Sequence, residues 1–369
     1  MKTTGLRQVV LLLVGFLILG LYLAFFVELD TTLEALLHSN VLFVVLAVVV
    51  WLIAIAVDTS IWALALRKND SRPTSFLGLF QLHLSTLMAG VYLPTGGVLL
   101  EMGLKVRLGS SEIQRQLVDR EGSVQPITDG LIASVAYVRY VAGFGMIAVF
   151  VLMAFLIPQE TGLGWDTSLF LGVPLAIFTF TGSVLILFLS TRPGVLLLAG
   201  EMAVKVSKML GLERTSHYFS SRYPQLVLEY QETFSQLVSA KLLFVGCLLL
   251  FWFKKALDTI AIYLLFNAVV PVPIAYILLV DFISGSLNLI PLPIPGMEGI
   301  KQVALAETLA QIGISERALS VAGAIVANTY VYVGGVFALI YFFVLRPDYG
   351  KVAEQVLEEQ RGEELASTE

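Results

Sequence analysis

Apolar residues in this chain gather into long unbroken runs separated by short polar stretches, a pattern on the scale of a bilayer and not of a strand or a heptad. Six runs, at 9–27, 41–66, 127–157, 167–190, 242–268 and 317–344, are predicted to be full spans, because about 20 helical residues cross a hydrocarbon core. Two further apolar stretches are interrupted. Residues 75–104 are broken by Leu93-Pro94-Thr95-Gly96-Gly97, and residues 273–312 by Pro291-Leu292-Pro293-Ile294-Pro295-Gly296. Proline lacks a backbone N–H and glycine loosens the chain, so both punctuate a helix. The run from Val9 to Phe26 follows a basic stretch, Met1 to Arg7, but carries no small-x-small cleavage site, and it is predicted to be a retained first helix.

Composition agrees with the pattern. Of 369 residues, 57% are hydrophobic and 14% charged, against about 25% charged in an ordinary soluble chain. The mean hydropathy is +0.85. The expected fold class is therefore all-α, a polytopic integral membrane protein. The single cysteine, Cys247, lies inside an apolar run, so no intrachain disulfide and no thiol cluster for a metal is expected. The net charge of -5 comes largely from an acidic tail after Tyr349. Neither nucleic acid nor a cofactor is indicated.

Lysine and arginine collect in cytoplasmic loops, which sets the orientation. Arg67, Lys68 and Arg72 follow the second span, Lys105, Arg107, Arg115 and Arg120 follow the first broken segment, and residues 191–241 carry six more basic residues. The loops 28–40 and 158–166 carry acids and no Lys or Arg, and are expected outside. Each broken segment then has both ends on one side, 75–104 on the cytoplasmic side and 273–312 outside, so each is expected to be a re-entrant hairpin with its tip near the midplane. The order span, span, hairpin, span thus occurs in residues 1–158 and, inverted, in 159–345, the grammar of an inverted repeat. Ala56-Val57-Asp58-Thr59 reappears as Ala256-Leu257-Asp258-Thr259, and Gly96 as Gly296, at one offset of 200 residues. The expected organisation is a single membrane domain over 1–345 with a cytoplasmic amphipathic insert at 191–241, a cytoplasmic acidic tail at 346–369, and both termini cytoplasmic.

The predicted membrane segments contain Asp58, Glu101, Asp129, Arg139, Lys254, Lys255, Asp258, Asp281, Glu298, Lys301 and Glu307. Each costs about 2.5–3.5 kcal/mol at a helix centre unless it faces a partner or a wet cavity. Lys254 and Asp258 are spaced i,i+4 and Glu298 and Lys301 i,i+3, so mutual neutralisation is one reading. Arg139 and Lys255 are left over and are the better functional candidates. At each hairpin tip the returning half-helix would present N–H groups toward the midplane, a setting suited to phosphate. Gly96, Gly97 and Gly296 would permit close approach there, or simply tight helix packing.

No H-E-x-x-H, G-x-S-x-G or P-loop is present, and His38, His83 and His217 are far apart. His83, in the first hairpin, reads as hydrogen-bonded packing or as a protonation sensor. Residues 196–236 mix Lys205, Lys208, Arg214 and Arg222 with apolar residues and read either as amphipathic helices at an anionic lipid surface or as a solvated linker.

At the hairpins the chain resembles the lysylphosphatidylglycerol synthase transmembrane family, the flippase-like membrane proteins of prokaryotes. The residues carrying the resemblance are Tyr92-Leu93-Pro94-Thr95-Gly96-Gly97 with Glu101, the Tyr137-Val138-Arg139 step, and Pro293-Ile294-Pro295-Gly296-Met297-Glu298-Gly299. The family pattern at the second tip resembles P-x-P-G-G-x-G-x-x-E, where this chain has Met297 and Gln302. The resemblance implies a plasma-membrane protein that moves polar lipids between leaflets. Its substrate would be an anionic or phosphate-bearing lipid or lipid-linked intermediate, for which the resemblance carries over Pro94, Gly96, Gly97, Arg139, Pro295 and Gly296, while the charges within the predicted segments add Lys254, Lys255, Asp258, Glu298 and Lys301 as binding candidates. Asp58, Asp258 and Glu298 are candidate proton carriers. The alternative is a non-transporting subunit that anchors a cytoplasmic transferase or supplies it with lipid.

Overall fold

A computed structural model describes residues 19–69, 75–92, 132–146, 191–209, 223–278, 299–311 and 316–341, with isolated positions between them, among which Lys105 enters below. The described residues are nearly all helical. The principal helices are α1 (Leu29–Leu37), α2 (Val41–Asn69), α3 (Phe76–Tyr92), α4 (Ile132–Met146), α5 (Pro193–Met209), α6 (Tyr223–Ser239), α7 (Lys241–Asn267), α8 (Ile300–Gln311), α9 (Arg317–Val326) and α10 (Thr329–Ile340).

Val41–Lys68 and the stretch Arg317–Ile340, which joins α9 to α10, are long and apolar enough to cross a membrane. A third candidate is the pair Val227–Ser239 and Lys241–Asn267, bent by 79° at Ala240. The described parts of the other predicted spans are shorter, α4 being an apolar helix within 127–157. The arms of the broken segments appear as α3 and α8, while both tips lie outside the described residues.

The sequence of α2 is rich in β-branched residues that are only fair helix formers in water. In hydrocarbon, however, each backbone N–H must find a partner within its own segment, which outweighs propensity. Hydroxyl groups follow the same rule: Thr59 Oγ1 donates to the Ile55 carbonyl at 2.8 Å and Thr259 Oγ1 to that of Lys255 at 3.0 Å. Asn40 caps α2, its Oδ1 accepting the Leu42 N–H at 3.1 Å. The exposed Arg67 and Lys68 close the other end, where cations suit the carbonyl pole of the helix.

The core is organised by α2 and α7, which pack together extensively and run antiparallel. Ala47 near the start of α2 shares a cluster with Ile262, Leu265 and Phe266 near the end of α7, while Ile61 and Ala65 share one with Cys247 and Phe251. The Asn40 N–H closes the pair by donating to the Ala268 carbonyl at 2.7 Å. Burial along the two helices follows the same register: positions 47, 51, 59, 61, 62 and 65 are buried, and so are 247, 251, 259, 261, 262 and 265. Exposed apolar positions follow it too, Leu42, Val45, Val49 and Ile53 matching Leu242, Val245, Leu249 and Phe253.

The neighbouring helices complete the bundle with glycines under aromatic rings. Phe251 lies against Gly145 of α4, and Trp51 together with Met88 lies against Gly334 of α10, so closely that a β-carbon at either glycine would collide. Trp252 Nε1 also donates to the Gly145 carbonyl at 3.0 Å. On α6, Val227, Phe234 and Leu237 are buried while Glu229 and Glu232 face outward, the amphipathic pattern expected of the insert.

Candidate functional site

The site begins with Asp58, at the middle of α2 on the side facing α3 and α7. His83 of α3 brings Nε2 to 3.2 Å from Asp58 Oδ2. The imidazole is almost fully enclosed, at 1% exposure, against 19% for the carboxylate. One turn of α7 then supplies the i,i+4 pair anticipated from spacing, Lys254 Nζ to Asp258 Oδ2 at 3.0 Å. Lys254 is also close enough to Asp58 for their charges to interact, and Arg139 of α4 acts on Lys254 in turn. Lys255 is half-buried beside it.

Lys105, counted in the sequence among the basic residues of the cytoplasmic side, is buried. Its Nζ stands 5.9 Å above the Trp62 ring, and its charge reaches Asp58. A desolvated ammonium over an indole face is worth up to about 2 kcal/mol, which offsets part of the cost of removing it from water. Trp62 packs 6.2 Å from the His83 ring, and its buried indole N–H meets no acceptor among the described residues.

Thus Asp58, His83, Lys105, Arg139, Lys254 and Asp258 form one electrostatically connected group between helices that are otherwise apolar. Two carboxylates compensate several cations, and such a group can hold an anion, bind a proton, or exchange partners. Among the described residues no cluster of His, Cys, Asp and Glu is suited to a metal ion.

The remaining expected site residues divide in two. Pro94, Gly96, Gly97, Pro293, Pro295, Gly296 and Glu298 lie outside the described residues, as do Glu101, Asp129 and Asp281. Lys301 is buried on α8. Its neighbour Gln302 turns Oε1 back to accept the Gly299 N–H at 2.6 Å, where Gly299 has φ 81, a left-handed conformation that favours glycine. The residue standing where the family pattern has an acid therefore caps a helix here.

A second polar tie lies among α8, α9 and the helical residues 19–26. Tyr22 donates its hydroxyl to Glu307, and Arg317 Nε lies 3.0 Å from the same carboxylate oxygen. Glu307 is thereby neutralised by the first residue of α9. Neither this tie nor Asp58–His83 was visible in the sequence, because their partners are 285 and 25 residues apart and helical spacing reports only neighbours three or four apart.

No protein-family model, curated protein or solved structure matches this chain.

Proposed function

We propose that this protein is a lipid translocator of the flippase-like kind, which passes a phosphate-bearing headgroup between leaflets while the acyl or prenyl chains stay in the bilayer. The observation that carries the reading is the concentration of Arg139, Lys105 and Lys254 around two carboxylates on helices whose outer faces are apolar. Charges in such a place are costly, and they mark pathways more often than they serve as structural ballast. Arg139 is the principal phosphate ligand, since its planar fork of donors fits phosphate oxygens. The indole N–H of Trp62, which meets no acceptor among the described residues, offers a further donor. The resemblance at both proline-glycine breaks points the same way.

In this reading six spans and two hairpins form an inverted repeat, with the termini cytoplasmic in the plasma membrane. The pairing of α2 with α7 supports it. Exchanging the two helices at the offset of 200 carries the Ala65–Cys247 end onto the Ala47–Leu265 end, and the matched residues Trp51 and Phe251 each lie against a glycine of a neighbouring helix. Rocking one half against the other about this crossing would expose the charged group to each side in turn.

Two measurements test the proposal. In vesicles of phosphatidylcholine and phosphatidylglycerol, acyl-labelled fluorescent phosphatidylglycerol should become fully accessible to an impermeant quencher when the purified protein is present. Accessibility held at the outer-leaflet half would exclude translocation and favour a subunit serving a separate transferase. On a Cys247→Ala background, cysteines at 70 and 271 should label from the cytoplasmic and external sides respectively; labelling of 271 only from the cytoplasm would rule out the inverted arrangement.

A further inference from the structure

Asp58 and Asp258 occupy equivalent positions at the offset of 200, yet their partners are not equivalent. The position matching Lys254 is Ala54, and the position matching His83 is Ile283. One ammonium and one imidazole therefore serve two carboxylates that the backbone treats alike. Lys254 is bound to Asp258 at 3.0 Å and faces Asp58 from across the crossing, while His83 occupies Asp58 at 3.2 Å. With a neutral imidazole, Asp58, Asp258 and Lys254 sum to a formal charge of -1 (two carboxylates and one ammonium). A proton on His83 brings this quartet to zero.

We propose that the Asp58–His83 pair binds the proton that drives lipid movement, with Lys254 as the switch that releases it; the coupling rests on the translocator reading above. Histidine is the side chain whose unperturbed proton affinity lies nearest neutrality. In the arrangement seen here Lys254 is hydrogen-bonded to Asp258 and acts on Asp58 through its charge alone, while His83 is the hydrogen-bonded partner of Asp58, whose carboxylate favours the imidazolium form. When the two halves exchange conformations, Lys254 moves from Asp258 to Asp58. The carboxylate then no longer needs the imidazolium, and His83 loses its proton to water on the side that has opened. On return, Lys254 goes back to Asp258 and His83 takes up a proton from the other side. Each transfer exchanges only the imidazole N–H for an O–H of the accepting water, or the reverse, and no co-reactant is required beyond a proton gradient.

The charged groups acting on this pair are Lys254 on α7, with Asp258 and Arg139 acting through Lys254, and Lys105 above Trp62. The packed helix α10 has no charged residue. Lys105 and Arg139 keep the surroundings cationic, which favours release of the proton once Lys254 has turned to Asp58, and an anionic headgroup entering beside Arg139 would favour its uptake. Proton and phosphate are thereby bound together.

The test uses the full chain with 15N-labelled histidine. The His83 resonance, identified by its absence in His83→Gln, should titrate between pH 5 and 9, and its midpoint should move by about one unit in Asp58→Asn. In vesicles, the rate for labelled phosphatidylglycerol should change at least several-fold with an imposed pH gradient, and His83→Gln and Asp58→Asn should abolish that dependence. A His83 that does not titrate in this range, or that titrates identically in Asp58→Asn, would overturn the proposal. Lipid movement indifferent to the gradient would overturn coupling while leaving translocation standing. A normal His83 titration without any lipid movement would overturn both translocation and its coupling.

Discussion

Replacing Lys254 with alanine is expected to destabilise this protein, by less than the roughly 3–5 kcal/mol typical of stranding one partner of a fully buried ion pair, because both side chains are half-buried. Lys254 stands 3.0 Å from Asp258 and also compensates Asp58, so its loss takes one shared cation from both carboxylates. Arg139 and Lys105 recover only part of that loss. The double variant Lys254→Ala with Asp258→Ala should be more stable than the single one, because it removes the stranded charge together with its partner. Lys255→Ala, changing the adjacent cation but leaving the Lys254–Asp258 bond in place, should cost less. Thermal unfolding of detergent-purified variants measures the series. Additive losses in the double variant would mean that the pair contributes no coupling.

Removing the guanidinium of Arg139 is expected to have the largest effect on ligand binding. A hydrogen bond to a charged group contributes about 1.5–3 kcal/mol, so Arg139→Gln should lower affinity for phosphatidylglycerol roughly ten- to a hundredfold. Arg139→Lys keeps the charge and loses the fork, and should fall between Gln and the natural residue. Arg139 also repels Lys254 electrostatically, and its removal relieves that repulsion. Binding to nanodiscs containing phosphatidylglycerol, read alongside thermal unfolding, separates the two effects. A stable Arg139→Gln protein that binds and moves the lipid normally would remove Arg139 from the site. A protein that unfolds with its affinity per folded molecule unchanged would make it a structural tie.

Helix boundaries were legible because they depend on local features. The apolar runs at 41–66 and 242–268 become Val41–Asn69 and Lys241–Asn267, shifted only by the basic residues at the end of α2 and by the cap positions. The Lys254–Asp258 bond was legible for the same reason, since four residues along a helix return to the same face. The recurrence of Ala-x-Asp-Thr was visible too, although the packing that gives it meaning was not.

What the sequence determined by itself is the presence of apolar helices long enough to cross a membrane and the positions where the described helices begin and pair locally, because an apolar helix satisfies its own backbone within its own segment. Only the tertiary structure decided which charges share a neighbourhood. His83 meets Asp58, Lys105 rises over Trp62, and Tyr22 joins Glu307 and Arg317, all through contacts between separate helices. The reason is that a side chain's hydropathy reports the cost of burying it alone, while its partner is chosen by how helices cross, and α2 crossing α7 antiparallel puts the charged turn of one beside that of the other.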